Sequence, residues 1–240
     1  MTTVITTALQ IPWHITQPIV IRYMDQCWVD DFFNEGKLRL TAFSQFRTYT
    51  DEQRGDENEG LMHMVCKDVN GSTHNTGFVF NQPAYVLCGS TVESKDIMHN
   101  FHVTSGFRIL DTAAFGRAIA RSIPFLQEGV QGHCMYREDS TVRRKDTDIF
   151  PFHPPTSEED CKRISDAHHH YLWQLNRFES FFVKKPSFAG QNEYRYLWIA
   201  NGEANDEIHI KCPEATRYCE PLEWEHNDGP LSVKVSTTSF

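Results

Sequence analysis

No stretch of this 240-residue chain approaches the roughly 20 consecutive apolar residues that a membrane-spanning helix needs. Its first residues, Met1 to Gln10, carry no basic start and no long apolar run, so they do not read as a secretory signal. Cysteine is sparse and unpatterned, seven residues with no C-x-x-C pair. An odd, scattered set argues against a disulfide framework and for a reducing compartment, so Asn70-Gly71-Ser72 reads as a turn rather than a glycosylation site. There is no G-x-S-x-G elbow, no P-loop and no dinucleotide glycine fingerprint, which removes the usual hydrolase, kinase and Rossmann readings. Positive charge is also short: 23 Lys and Arg stand against 32 Asp and Glu, a net charge of -9. That disfavours non-specific binding to nucleic acid or to an anionic membrane, while leaving room for a local basic groove.

What the chain does hold is aromatic: 12% of residues, with 17 Phe, 8 Tyr and 5 Trp, within a 40% hydrophobic composition. That is enough to build one substantial core and excludes a disordered chain. Neither repeats nor low-complexity tracts occur. The expectation is a single acidic cytosolic domain over 1–240, with the charged, proline-bearing stretch 137–155 as an internal loop or linker.

Periodicity predicts strands at Pro18 to Met24, Lys37 to Phe43, Leu61 to Val69, Thr76 to Phe80, Ala84 to Cys88 and Gly106 to Leu110. Between the first two, Asp25 is placed to cap a helix with Trp28, Phe32 and Phe33 on its apolar face, ended by Gly36. Thr48 to Gly60 is an acidic loop. A longer helix is predicted over Thr112 to Glu128, broken or kinked at Pro124, and another from Ser157 to about Phe178. Glu179 to Lys184, Glu193 to Ala200 and Glu207 to Lys211 complete the strands. Helices and mostly antiparallel strands alternate without a βαβ rhythm, so the predicted class is α+β.

Three islands carry candidate chemistry. Arg22 interrupts the apolar strand PIVIRYM, and a guanidinium on an inner strand must find an anion, either a carboxylate or a phosphate. Thr41-Ala42-Phe43-Ser44 ends the next strand and is followed by Phe46 and Tyr49, rings able to stack on a flat ligand. The turn-rich Lys185 to Gly190 loop, with Phe188, leads into Gln191-Asn192-Glu193. Gln191 and Glu193, two apart, project from one side at the strand's mouth, and a surface pair of Glu193 with Arg195 is the plain structural alternative.

In that order the islands resemble the mono-ADP-ribosyltransferase superfamily, in the branch defined by an Arg, a Ser-bearing strand and a Glu. Arg22-Tyr23, Phe43-Ser44-Gln45-Phe46 and Glu193-Tyr194-Arg195 are also similar to segments of a large family of bacterial proteins. Where the branch has Ser-Thr-Ser on its second strand, this chain has Ala42-Phe43-Ser44. The resemblance implies a split, mixed or antiparallel β core with flanking helices, and NAD as substrate with no metal. In its terms Glu193 faces the oxocarbenium-like transition state of nicotinamide–ribose cleavage. Ser44 orients Glu193, Arg22 clamps the pyrophosphate or adenosine side, and Tyr23, Phe46 or Tyr49 pack the nicotinamide. Gln191 reads the acceptor, with Phe188 and Asn192 in the acceptor loop and Lys184 and Lys185 beside it to meet phosphate. The acceptor would be a macromolecule, protein or single-stranded RNA. The setting would be an intracellular toxin or anti-phage effector with a neutralising antitoxin. The alternative from another class is a non-catalytic module that senses a nucleotide or a partner on the same fold.

The remaining clusters carry less. His168, His169 and His170 point about 100° apart on a helix and cannot share one ion, so a metal-dependent hydrolase there has little support. His209, Cys212 and Cys219 lack a fourth zinc ligand. The acidic residues Asp51, Glu52, Asp56, Glu57 and Glu59 lack a calcium-loop pattern and read as solvated. Arg143, Arg144 and Lys145 form a modest basic cluster.

Overall fold

The computed structural model describes residues 17–49, 55–56, 59–67, 73–79, 83–138, 141–143, 156–163, 166, 178–201 and 206–223. It is an α+β protein, mostly antiparallel sheet with few helices.

Strand β1 (Val20–Met24) runs into helix α1 (Gln26–Glu35). Asp25 is extended, as an N-cap must be, but its side chain makes no capping hydrogen bond; its backbone carbonyl accepts from Trp28 and Val29 instead. Val29 and Phe32 are buried, and Phe32 stacks on Phe107 with centroids 4.6 Å apart. Gly36 ends the helix at φ 71°, where a Cβ would also run into the backbone of Pro213. Strand β2 (Lys37–Ala42) alternates exposed and buried residues as its sequence does, and gives way at Phe43 to a 3-10 turn, Phe43–Arg47.

A hairpin of β3 (Leu61–Lys67) and β4 (Thr73–Val79) belongs to a separate small sheet. Strand β5 (Ala84–Ser90), helix α2 (Lys95–Asn100), β6 (Ser105–Ile109) and helix α3 (Thr112–Ala120) follow. The helix predicted to reach Glu128 therefore stops eight residues early, and its last part is strand β7 (Leu126–His133). Pro124 supplies no N–H and disfavours helical backbone at the residue before it, and Phe125 then turns the chain at φ 56°. Tertiary pairing decides the rest, because β7 completes an edge of the main sheet. Short strands β8 (Met135–Tyr136) and β9 (Thr141–Arg143) come next.

The predicted strand at Glu179 is instead a 3-10 turn, Glu179–Phe181, followed by the two-residue strand β10 (Val183–Lys184). A further turn, Pro186–Gln191, leads into β11 (Glu193–Ala200), then β12 (Glu207–Lys211), the turn Pro213–Tyr218 and β13 (Cys219–Pro221). Among the described residues, parallel pairing is confined to β8 with β10 and β3 with β9.

The eight-stranded sheet has β11 at its heart, paired with β5 on one side and β7 on the other, with all eight residues buried. Tyr194, Tyr196 and Trp198 pack with α1, α3 and the Pro213–Tyr218 turn around Phe32, Phe107 and Phe115. Leu197 and Ile199 face the opposite side, with Phe43, Phe181 and Phe182. Among the described residues no helix is long and apolar enough to cross a membrane.

The predicted 157–178 helix is described at 158–163 and 166, where the Ser157 hydroxyl accepts from the Asp160 N–H as a cap. Its remainder, including His168 to His170, lies outside the described residues. So do Met1 to Gln10, Asp51, Glu52, Glu57, Asn70 to Ser72, Phe80, Arg144, Lys145 and most of the 137–155 stretch.

Candidate functional site

Two strands compete for one edge of β5. In β1, Ile21 lies opposite Ser90, while in β2 Thr41 and Ala42 lie opposite Val86 and Tyr85. Antiparallel registers carried further would set Met24 against Leu87 and Lys37 against Ser90, so both strands would claim the same β5 residues. Each therefore keeps only its end of that edge and turns to a partner of its own, β6 for β1 and β12 for β2. The main sheet splits between them, and a cleft of about 210 Å³ opens at the split.

Side chains from β1, α1, β2, β5 and the 184–193 segment line this cleft. Arg22 and Tyr23 come from β1, Trp28 from the first turn of α1, and Arg39 and Thr41 from the polar face of β2. Phe46 and Tyr49 follow the 3-10 turn, Cys88 and Ser90 come from β5, and Lys184, Gln191 and Glu193 close the far end. The Arg22 guanidinium donates to the Cys88 carbonyl at 2.7 Å, in the length of β5 that neither β1 nor β2 covers. The Tyr23 ring forms wall, and its hydroxyl is engaged elsewhere, donating to the Val92 carbonyl and accepting from the Ser94 N–H.

The closed end is a buried charge network. Glu193 Oε1 accepts from Arg195 Nε at 2.6 Å and Oε2 from Lys184 Nζ at 2.7 Å. Arg195, with no exposed surface, turns its other nitrogens to the Glu59 carboxylate and the Phe181 carbonyl. Two carboxylates thus balance two cations inside the protein. The Glu193 N–H donates to the Tyr136 hydroxyl at 2.7 Å, because β8 and β10 pair with Tyr136 opposite Lys184. Burial by itself would raise the Glu193 pKa, but the Arg195 and Lys184 charges override it and hold the carboxyl at about 2. Glu193 is an anion at every physiological pH. Burial pushes the Tyr136 hydroxyl up to about 12, and burial with the nearby Glu193 charge pushes the Cys88 thiol well above its ordinary value, so neither ionises near neutrality.

The structure brings Arg22, Tyr23, Phe46, Tyr49, Gln191, Glu193 and Lys184 to one cleft. It departs from the sequence reading at four residues. Ser44 lies in the Phe43–Arg47 turn, is not among the cleft-lining residues and makes no hydrogen bond to Glu193 among the described residues; Lys184 and Arg195 hold that carboxylate. Lys184 is 5% exposed and ion-paired, so it is part of the charge network rather than a surface phosphate contact. Lys185 pairs with Asp56 at 3.1 Å and is not a lining residue. Phe188 is buried, its ring 4.3 Å beneath the Lys184 ammonium, and so supports the site from inside. Asn192 stays exposed and takes a left-handed conformation (φ 46°) that turns the chain into β11.

Other expectations change too. Asp56 and Glu59 are buried, not solvated, each neutralised by a cation from the 184–195 segment. The Glu193–Arg195 pair is buried, not on the surface. His209 is exposed and bonded to Glu207, Cys212 is in the core, and among the described residues no three His, Cys, Asp or Glu side chains converge as metal ligands.

Sequence reasoning gave Trp28, Arg39, Glu59 and Tyr136 no part in the site, and placed Arg195 beside Glu193 only as a surface pair. Arg195 had a signal, since an Arg inside the aromatic strand EYRYLWIA needs an anion for the reason applied to Arg22. Arg39 shares a face with Thr41 by strand period. Glu59 and Tyr136 meet β11 only through long-range folding and leave no local pattern. No protein-family model, curated protein or solved structure matches this chain.

Proposed function

We propose that this protein is an NAD-dependent mono-ADP-ribosyltransferase that modifies a macromolecular acceptor, protein or RNA, as an intracellular toxin or phage-defence effector. The observation that carries the reading is that Arg22 and Glu193, 171 positions apart in sequence, line one cleft at a split in the sheet. At about 210 Å³ the cleft is smaller than the several hundred Å³ of a typical small-molecule site. It suits the nicotinamide–ribose end of the dinucleotide, with the rest leaving over the open mouth.

The chemistry asked of the site is modest. The C1′–N bond to the pyridinium breaks, neutral nicotinamide leaves with the bonding electrons, and positive charge develops on the ribose. The ionised Glu193 carboxylate opposes that charge and accepts a ribose hydroxyl hydrogen bond. Arg22 binds phosphate oxygens through charge-assisted hydrogen bonds. Phe46, Tyr49 and Trp28 offer faces to the flat rings. An acceptor nucleophile near Gln191 then takes C1′ and releases its proton.

The test is incubation of purified protein with labelled NAD and cell lysate. Label should pass to a macromolecule, and Glu193→Gln should abolish transfer while melting cooperatively. Transfer by Glu193→Gln at the parent's rate overturns the proposal.

One observation favours the second reading, a nucleotide- or partner-sensing module: both Glu193 oxygens already carry a cationic donor, and Ser44 does not reach the carboxylate. NAD that binds and stays intact would select the module.

A further inference from the structure

The residue that the resemblance assigns to orienting Glu193 does not reach it, so another group must hold the carboxylate in place. Lys184 is positioned for that task from four sides. Its ammonium is 2.7 Å from Glu193 Oε2 and 3.5 Å from Gln191 Oε1, so one cation bridges both polar residues of the Gln-x-Glu segment. Beneath it lies the Phe188 ring at 4.3 Å, a face that favours a cation and leaves little freedom of direction. Its backbone pairs with Tyr136, whose hydroxyl accepts from the Glu193 N–H, and its carbonyl accepts from the Arg137 N–H at 2.9 Å.

Lys184 differs from Arg195, the other cation on Glu193. Arg195 is fully buried and shared with Glu59, which makes it part of the interior. Lys184 lines the cleft and touches the carboxylate oxygen from that side. Lysine donates only, and an ammonium has three donors. It can therefore hold Glu193, meet the Gln191 oxygen and keep one donor direction besides.

We propose that Lys184 is a positioning residue for the transfer reaction, fixing the Glu193 carboxylate and the Gln191 amide in one geometry in place of a second-strand serine. The inference rests on the transferase reading above and deepens it. Without Lys184 the carboxylate keeps Arg195 and the Cys88 thiol but loses the one donor that also reaches Gln191, so Glu193 and Gln191 are no longer tied by one cation. Misplacement of a reacting group by about 1 Å costs on the order of a hundredfold in rate.

The experiment measures kcat and KM for NAD in the parent, Lys184→Met and Lys184→Arg, each with a thermal melt. The expected result is a fall in kcat of about a hundredfold in Lys184→Met with KM within about threefold of the parent. Lys184→Arg, which keeps the charge and the buried pair but shifts the donor, should regain part of that loss. Unchanged kcat in Lys184→Met overturns the proposal and leaves the transferase reading standing. If Lys184→Met does not fold, Lys184→Arg decides: parental kcat overturns the proposal, and a reduced kcat with parental KM supports it. A parent that cleaves no NAD removes the transferase reading and this inference together.

Discussion

At the β11 end of the cleft every ionised side chain is buried and answered: Glu193 by Lys184 and Arg195, and Arg195 by Glu59. At the mouth, between β1 and β2, Trp28 and Tyr49 stand 45% and 39% exposed, and Arg39 shares a loose 3.6 Å pair with Glu207. The first region cannot change one partner without stranding another charge in low dielectric, whereas the second can lose a side chain to solvent at little cost. Under the proposed transferase function, the site would have to hold an anion rigidly and still admit a large, flat, charged ligand, which needs both kinds of wall. The difference between them can be broken experimentally, starting where most is at stake.

Removing the shared cation should have the largest effect. Arg195→Met leaves Glu59 and Glu193 buried with one cation between them and should lower stability by about 3–5 kcal/mol in a denaturant melt. A loss under about 1 kcal/mol would mean that the network is not buried as described. Acid comes next. Because the Glu193 carboxyl in the folded protein sits at about 2, below the ordinary 4.5, its contribution is complete above pH 4.5 and disappears as pH falls towards 2. Thermal midpoints should drop across that window, and Glu193→Gln should flatten the drop; an equally steep loss in both would assign acid sensitivity to other groups. Tyr136→Phe strips the acceptor from the Glu193 N–H and should cost about 1–3 kcal/mol with no change in the acid window. At the mouth the pattern inverts. Trp28→Ala should stay within about 0.5 kcal/mol of the parent's stability yet weaken NAD binding about tenfold by calorimetry. Equal affinity would place the ligand away from that wall.

The same contrast explains what could be read in advance. Strands Lys37–Ala42, Glu193–Ala200 and Glu207–Lys211 were legible because a two-residue period and β-branched or aromatic content persist through them. The helix beyond Ala120 was not, since the helical spacing of Phe115 and Ile119 extends to Ile123 although the chain there already turns towards β7. Lys184 was legible only as a basic residue near a loop. Its burial depends on β8 arriving beside β10, which nothing within ten residues of it announces.

Composition and pattern determined that the chain would bury an aromatic core in a largely antiparallel α+β fold, and that Arg22 and Glu193 were charges needing partners. Those properties are local, set by side-chain volume, alternation and the cost of an unpaired ion. Which partners they found was decided by the tertiary structure alone. Only when β1 and β2 contend for one edge of β5 does a cleft open to unite them. Only when Glu59, Tyr136 and Lys184 fold against the start of β11 does Glu193 become a fixed carboxylate ionised down to about pH 2 rather than half of a surface pair.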